Sequence, residues 1–541
     1  MALRLLQLGM QALTSKAYAD ASEHIQKSIG LDQTNATAWR MLAISYENQD
    51  RLSEAFTAYE MAARLAPDDA AIMRSVAILA GRLGHRELAK RLLQGFLERV
   101  PGNPDVSVQL ASILRDQHQY ADAIDLMRNV ISGAPEYAAA WQMLGSIVEF
   151  SGDTDGAVVF YEEALRLQPD FCKVRRNLAT CLMLQGDSAR ALEQLDIGLA
   201  GATEVKDVAD LNLGKAANHF ILGDLISGFD CYEGRFDGVD LRIRFAQHGQ
   251  RWTLEDDLRG KRLLVYGEFG IGDEVLFSSI INEVIEALGS EGRLYLAVEP
   301  RLVTLFQRSF PQAVVITYEV QRTLTIVMKT ALFDGPAPQI DLWVPQISLF
   351  RRFRRSLSDF PASNPFLLPD PERVAYWREQ LQASGEGPYV GLVWKSINTE
   401  GARLRYYTPF ELWEPILKIP KARFINLQYG DIGPEQGMLK AWGAQVLTLP
   451  GLDLKMDIED LTALCAALDL VIGPSTATTN FAAAVGTRVW LSAGPGWWTG
   501  FGGEHAPAYP TARVFRTPSF DRWDIVTEAM AEAMGKEFLA D

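Results

Sequence analysis

Residues 263–284, LLVYGEFGIGDEVLFSSIINEV, bring three glycines and an acidic pair directly behind an apolar run. Leu263 to Tyr266 reads as a buried strand, Gly267, Gly270 and Gly272 as a turn, and Val275, Ile280 and Val284 resume at helical spacing. Glycine lets a backbone approach a ligand closely, and the amides that open a helix favour anions, so this turn suits the edge of an active site. Asp273 fits that reading and equally fits a plain helix cap. The spacing is not GxGxxG, and no lysine stands where a P-loop needs one, so neither a dinucleotide nor an ATP site is implied. The richest loop lies far downstream, where Gly494, Gly496, Gly500, Gly502 and Gly503 interleave with Trp497 and Trp498. Two adjacent tryptophans are costly to expose, which favours a cleft lid over a plain turn. His505, in the same loop, reads as structural.

Alternating elements must position these residues. After the Leu263 strand come short apolar runs at Leu294–Val298, Val314–Thr317 and Ile340–Val344. A second alternation begins with strand Tyr389–Trp394 and helix Pro409–Leu417, then strand Arg423–Gly430 and helix Ile458–Leu468. Strand Leu470–Pro474, helix Ser475–Val485, strand Arg488–Ala493 and a last helix Asp524–Phe538 complete it. Strands alternating with helices predict two doubly wound α/β domains, with a cleft between the carboxyl ends of their strands. The stretch 238–260 reads as irregular with Trp252 as an anchor, Arg351 to Arg355 as a solvated helix face or a phosphate-facing patch, and Pro361 to Pro371 as a linker.

The first 200 residues repeat with a period of 34. Ala21, Ala55, Ala89, Ala123, Ala157 and Ala191 form one column, and Pro67, Pro101, Pro135 and Pro169 another. Leu8, Leu42, Val76, Leu110, Leu144 and Leu178 keep step, as do Ile25, Tyr59, Leu93, Met127, Tyr161 and Leu195. A small residue lets two antiparallel helices cross closely, large residues fill the groove, and proline stops the second helix. Period and pattern, with Trp39, Trp141 and Tyr46, resemble tetratricopeptide repeats across residues 2–203. Their concave face usually takes an extended peptide or a protein, with a spacer or self-association surface as the alternative. Arg175, Arg176, Asn177 and Gln142 are candidates for that face. Leu211–Leu222 and Ser227–Phe236 read as a degenerate seventh pair with slipped spacing. The domain reading is therefore repeats at 1–203, a capping repeat at 204–237, and α/β domains at 238–370 and 371–541.

Composition narrows the class. The 541 residues carry 52 basic and 68 acidic side chains, a formal charge of −16, and 48% are hydrophobic. That balance opposes a general nucleic-acid or anionic-membrane surface. Cys172, Cys181, Cys231 and Cys465 lack metal or disulfide spacing, and no apolar stretch nears the ~20 residues of a membrane span. The first residues flow straight into a periodic helix and do not read as a signal peptide. The expectation is a soluble, cytoplasmic, acidic multidomain protein.

The pairing of GEFGIGDEVLFSSII with DLVIGPSTATTNFAAAVGTRVWL about 200 residues later resembles the GT-B glycosyltransferases, nearest to the heptosyltransferase-like family 9. With the repeats in front, the layout is similar to bacterial tetratricopeptide glycosyltransferases, including those acting on flagellin, and to the O-GlcNAc transferases. The resemblance implies an α solenoid followed by a GT-B fold of two Rossmann-like domains. It makes Asp273, beside Gly270 and Gly272, the general base for an acceptor hydroxyl. It assigns donor phosphates to the stretch Ser475, Thr476, Ala477, Thr478 and Asn480, and the leaving phosphate to Arg403 and Arg405, with Lys395 as a second candidate. Gln428, Tyr429 and Asp431 would meet the nucleotide base or ribose. Ser475 and Asn480 stand where heptosyltransferases carry aspartate and histidine, which separates this chain's donor from ADP-heptose. Without any ligand, Ser475 and Thr476 would serve as helix caps and Arg403 and Arg405 as surface charges. The second half lacks a DxD motif and GT-B enzymes commonly dispense with metal, so no metal ion and no cofactor beyond the nucleotide-sugar substrate are expected.

The leading expectation is transfer of a sugar from a nucleotide donor to serine or threonine of a protein, flagellin among the candidates, captured by the repeats. A lipid-linked or capsular glycan acceptor is one alternative. A repeat scaffold whose transferase-like half has lost catalysis is the other.

Overall fold

The computed structural model describes the chain apart from residues 237–242, 247, 323–326, 361–364, 397–400 and 539–541, with backbone alone at 401–402. Two compact units emerge, one built on residues 1–181 together with Arg322, the other on 182–321 and 327–541.

The 34-residue period becomes helix pairs: Ala2–Thr14 with Tyr18–Leu31, Ala36–Asn48 with Leu52–Leu65, and Ala70–Arg82 with Arg86–Arg99. Pro104–Asp116 with Tyr120–Gly133, Ala138–Phe150 with Thr154–Leu167, and Cys172–Leu184 with Ser188–Gly201 follow. The alanine column is fully buried, from Ala21 to Ala191. Close crossing explains it: a Cβ on Gly145 would stand 2.8 Å from the Tyr161 ring. Leu8 departs from its column and is 41% exposed, because the first pair packs on one side only. Trp39 and Trp141 brace their own repeats, each indole donating to the carbonyl six residues back, Gln33 at 2.9 Å and Pro135 at 2.8 Å. Arg175 stands in that same column and donates to the Pro169 carbonyl at 2.7 Å. Gln142 is buried, so it too is less a face residue than expected.

In the second unit a seventh pair, Val205–Ile221 and Leu225–Glu233, precedes a seven-stranded sheet. Its strands are β1 (Ile243–Phe245), β2 (Gln250–Arg251), β3 (Arg262–Tyr266), β4 (Arg293–Val298), β5 (Val314–Arg322), β6 (Val327–Leu332) and β7 (Leu342–Pro345). They lie in the order β1-β6-β5-β4-β3-β7-β2, with β3 parallel to both β4 and β7. A six-stranded sheet follows, made of β8 (Tyr389–Leu392), β9 (Arg423–Asn426), β10 (Val446–Leu447), β11 (Leu470–Pro474), β12 (Val489–Ala493) and β13 (Ala512–Arg516). Its order is β10-β9-β8-β11-β12-β13, with β8 parallel to β9 and to β11.

Several expectations change. Helix Pro371–Ala383 begins at the end of the stretch read as a linker, whose residues 361–364 lie outside the described residues. Its Trp377 is buried and donates to Asp460 at 3.0 Å. The stretch 238–260, where 238–242 and 247 are not described, holds the short strands β1 and β2. Strands β6, β10 and β13 and helix Gly433–Trp442 were not anticipated, and Pro409–Leu417 is a 3-10 turn followed by one helical turn. The basic cluster is neither wholly solvated nor a phosphate patch. Arg354 is fully buried against Glu283, at 2.5 and 2.7 Å, and Arg351 pairs with Asp230 at 2.5 Å. Among the described residues no helix is long and apolar enough to cross a membrane.

Candidate functional site

In a doubly wound sheet, ligands settle outside the carboxyl ends of the strands where the order reverses. The first sheet reverses between β3 and β7, and β3 runs straight into the glycine turn. The second reverses between β8 and β11, whose ends lead into Trp394–Lys395 and Ser475–Thr476. The two helices leaving these points, Ile271–Phe277 and Ala477–Ala484, meet directly. Asn480 Nδ2 donates to the Gly272 carbonyl at 3.0 Å. A Cβ on Gly272 would lie 3.0 Å from Ala477 Cα, so this glycine serves helix contact, where the sequence suggested ligand approach.

Asp273 is half-buried, and its Oδ2 accepts the Gly270 amide at 3.1 Å, giving the capping geometry foreseen for it. Burial raises its carboxyl above the ordinary aspartate value, against the Gly270 amide, which lowers it. A carboxyl raised in this way is suited to proton exchange nearer neutral pH, and the capping hydrogen bond does not exclude that use. Tyr509 comes close enough for the Asp273 charge to act on it. Its hydroxyl is enclosed and has no hydrogen-bond partner among the described residues, while its ring stacks on Phe366 with centroids 6.1 Å apart.

The turn rests on charges that motif reasoning did not find. Glu274, next to Asp273, is buried and accepts from Tyr318 Oη at 2.5 Å, the Glu299 amide at 2.9 Å and Lys329 Nζ at 3.4 Å. Lys329 Nζ also donates to the Gly267 carbonyl at 2.9 Å. From the other side Arg235 grips Glu268 bidentately, at 2.9 and 3.0 Å, and donates to Ser348 Oγ at 2.9 Å. The signal available in sequence was the acidic doublet Glu268 and Glu274 flanking the glycines. The partners Lys329 and Arg235 carried none.

Across the site the expected donor residues divide. Ser475 is exposed, Thr476 caps helix Ala477–Ala484 through its amide to Thr479 Oγ1 at 2.8 Å, and Thr478 is buried. Asn480 is committed to Gly272 and so does not stand ready for a donor phosphate. Lys395 is ion-paired with Glu435. Gln428 is buried, its Oε1 accepting the Trp394 and Lys395 amides at 3.1 and 3.0 Å. It braces the strand end. Tyr429 is half-buried, and exposed Asp431 caps Gly433 at 2.9 Å. The loop expected around Arg403 and Arg405 is a 3-10 helix, Gly401–Tyr406, with residues 397–400 outside the described residues. Arg403 is exposed, and the Arg405 guanidinium lies over the Phe520 ring at 4.8 Å.

The tryptophan loop is a dock and not a free lid. Trp498 stacks on Phe220 with centroids 5.5 Å apart, and Phe501 meets Phe220 at 5.3 Å and Phe229 at 5.8 Å. Trp497 lies under the Arg516 guanidinium at 4.9 Å. An aromatic partner on the seventh helix pair therefore accounts for Trp498, and Arg516 covers Trp497, where two tryptophans would otherwise be exposed.

Tetratricopeptide-repeat families match residues 6–70, 77–138 and 108–170, and again 151–211. Over 537 residues, 99% of this chain and 90% of the other, the sequence is 36% identical to Protein FlbA of Caulobacter vibrioides. The peroxisomal targeting signal receptor of Kluyveromyces lactis is 26% identical over 195 residues, 35% of this chain and 34% of the receptor. Among solved structures, a tetratricopeptide repeat protein from Parabacteroides merdae covers 44% of this chain and 90% of its own, with a TM-score of 0.37 and 14% identity.

Proposed function

The chain belongs to the family of the Caulobacter protein FlbA, and from that premise we propose that it is a glycosyltransferase acting on a protein acceptor. One observation carries the reading. Two strand-order reversals, each a natural ligand position, are tied together by the Asn480–Gly272 hydrogen bond of 3.0 Å, with a half-buried carboxyl of raised pKa beside it. A cleft with one nucleotide side and one proton-accepting side is what sugar transfer from a nucleotide donor requires.

The acceptor serine or threonine oxygen attacks the anomeric carbon and forms the new C–O bond. The old C–O bond to phosphate breaks, and its electron pair leaves with the nucleotide. The acceptor proton passes to the Asp273 carboxylate. Ser475 and the amides opening helix Ala477–Ala484 would receive the donor phosphate, with Arg403 as the exposed cation nearest in role to the leaving group. The repeats would hold the acceptor protein, for which flagellin is the first candidate to try.

The scaffold reading draws support from Asn480 and Lys395, which are engaged in internal contacts. Incubation with UDP-, GDP-, ADP-, CMP- and dTDP-sugars and a protein acceptor separates the two. Gain of one sugar mass on the acceptor, lost in Asp273→Asn, supports the transferase. Absence of transfer, donor hydrolysis and nucleotide binding together would establish the scaffold.

A further inference from the structure

Within the repeats one tyrosine position has a fixed use. Tyr59 Oη donates to Glu47 at 3.2 Å and Tyr161 Oη donates to Glu149 at 2.8 Å, each glutamate twelve residues earlier on the first helix of the same pair. In the seventh pair the second helix starts at Leu225, three residues later than the 34-residue step from Ser188 predicts. With that shift, Ala216 takes the small-residue place of Gly145, Gly228 takes the alanine column, and Tyr232 takes the place of Tyr59 and Tyr161. Twelve residues before Tyr232 stands Phe220, whose ring lies 6.3 Å from that of Tyr232. The carboxylate partner has been replaced by an aromatic ring, and among the described residues the Tyr232 hydroxyl makes no hydrogen bond.

The Tyr232 ring is instead tied to the glycine turn through Arg235. The Arg235 guanidinium lies 4.3 Å over the Tyr232 ring and donates to the Tyr232 carbonyl at 2.9 Å, while holding Glu268 at 2.9 and 3.0 Å. Glu268 precedes Gly270, whose amide holds Asp273. Burial, then the Glu268 and Asp273 charges, raise the Tyr232 phenol far above the ordinary tyrosine value, against the lowering by Arg235. It therefore keeps its proton and remains a donor.

We infer that Tyr232 is a substrate-contacting residue, whose hydroxyl donates a hydrogen bond to the acceptor hydroxyl oxygen beside Asp273, so that the last repeat forms part of the transfer site. This rests on the transferase reading above. Transfer balances as before: the acceptor proton goes to Asp273, the leaving electron pair goes to the nucleotide phosphate, and Tyr232 keeps its own proton. The hydrogen bond orients the oxygen lone pair toward the anomeric carbon and would favour a serine or threonine side chain over bulk water.

The test compares Tyr232→Phe with Tyr161→Phe in the full-length chain. For Tyr232→Phe, kcat/KM for transfer to the protein acceptor should fall about 10- to 100-fold. Hydrolysis of the donor should change much less, and the melting temperature and the nucleotide-induced thermal shift should stay at wild-type values. Tyr161→Phe, which leaves Glu149 without its phenol donor, should lower the melting temperature and leave the ratio of transfer to hydrolysis unchanged. Wild-type transfer by Tyr232→Phe, or an equal fall in transfer and hydrolysis, would overturn the assignment while leaving the transferase intact. A wild-type chain that neither transfers nor hydrolyses any donor removes the transferase reading, and this assignment with it.

Discussion

Asp273 sits between two influences that pull its proton in opposite directions. The Gly270 amide at 3.1 Å favours the carboxylate, whereas burial favours the acid, and burial is the larger influence. A carboxyl whose folded pKa is raised binds its proton in the native state at pH values where the unfolded chain has already lost it. Its contribution to stability is then complete below the unfolded value, near 3.9, and is lost as pH rises through the folded value. At neutral pH the ionised side chain works against the fold. Asp273→Asn should therefore leave the melting temperature at pH 7 unchanged or raised, while cutting transfer by at least about 100-fold. In the wild type, transfer should fall on acidification at a pH above the ordinary aspartate range. Retained transfer would remove Asp273 from the mechanism, and a lower melting temperature would mean that the Gly270 cap outweighs burial. Glu274 behaves differently, being a buried partner of Lys329 and Tyr318. Glu274→Ala strands a buried ammonium, and urea unfolding should show a loss on the order of 3 to 5 kcal/mol.

At the scale of elements, contacts made across glycines decide whether the site holds together. Gly272 has no room for a side chain, its Cβ direction meeting Ala477 Cα at 3.0 Å and Asn480 Nδ2 at 3.2 Å. Gly272→Ala should part helices Ile271–Phe277 and Ala477–Ala484 by a few tenths of an ångström and cost about 1 to 3 kcal/mol in chemical unfolding. Transfer should fall more than stability, because Asp273 rides on the displaced helix. Gly502, at φ +75°, would set a Cβ 2.7 Å from the Gly223 amide, so Gly502→Ala should undo the packing of the tryptophan loop on the seventh helix pair. Blue-shifted tryptophan emission moving to the red in that variant would report it. The repeats were legible because every helix pair meets its neighbours through columns fixed by a single period. The strand, turn and helix around Asp273 were legible for a similar reason, since five apolar residues and three glycines sit within ten positions. The role of Trp498 was not, because Phe220 lies far back in the chain and nothing in the loop names it. The same holds for Arg354, read as a surface charge until Glu283, 71 residues away, is seen to bury it. Residues serving distant partners look identical in sequence to residues serving a ligand.

The whole molecule divides into two compact units. The helices of residues 2–83 bury Ile25, Tyr59 and Leu79 among themselves. The second unit buries Trp252, Phe277, Trp377 and Phe481 in one cluster and Trp394, Trp413 and Trp523 in another. The cluster around Tyr59 and the cluster around Trp252 share no residues, so scanning calorimetry should resolve more than one transition. A nucleotide that occupies the ends of β8 and β11 binds the second unit in its folded form and leaves the first untouched. At 100 times its dissociation constant it stabilises that unit by about 2.7 kcal/mol. The expected record is one transition moving upward with added nucleotide while another stays in place. A protein acceptor held by the repeats would move the other. If nucleotide moved both transitions equally, the units would unfold as one. If no nucleotide moved either, the ends of β8 and β11 would hold no donor, and the exposed Ser475 and Arg403 would be ordinary surface residues. The nucleotide that does move the transition also identifies the leaving group. CMP would mean a single phosphate and a nonulosonic-acid donor. A diphosphate would require two anionic groups to be met, and Lys395 would have to leave Glu435 to meet the second.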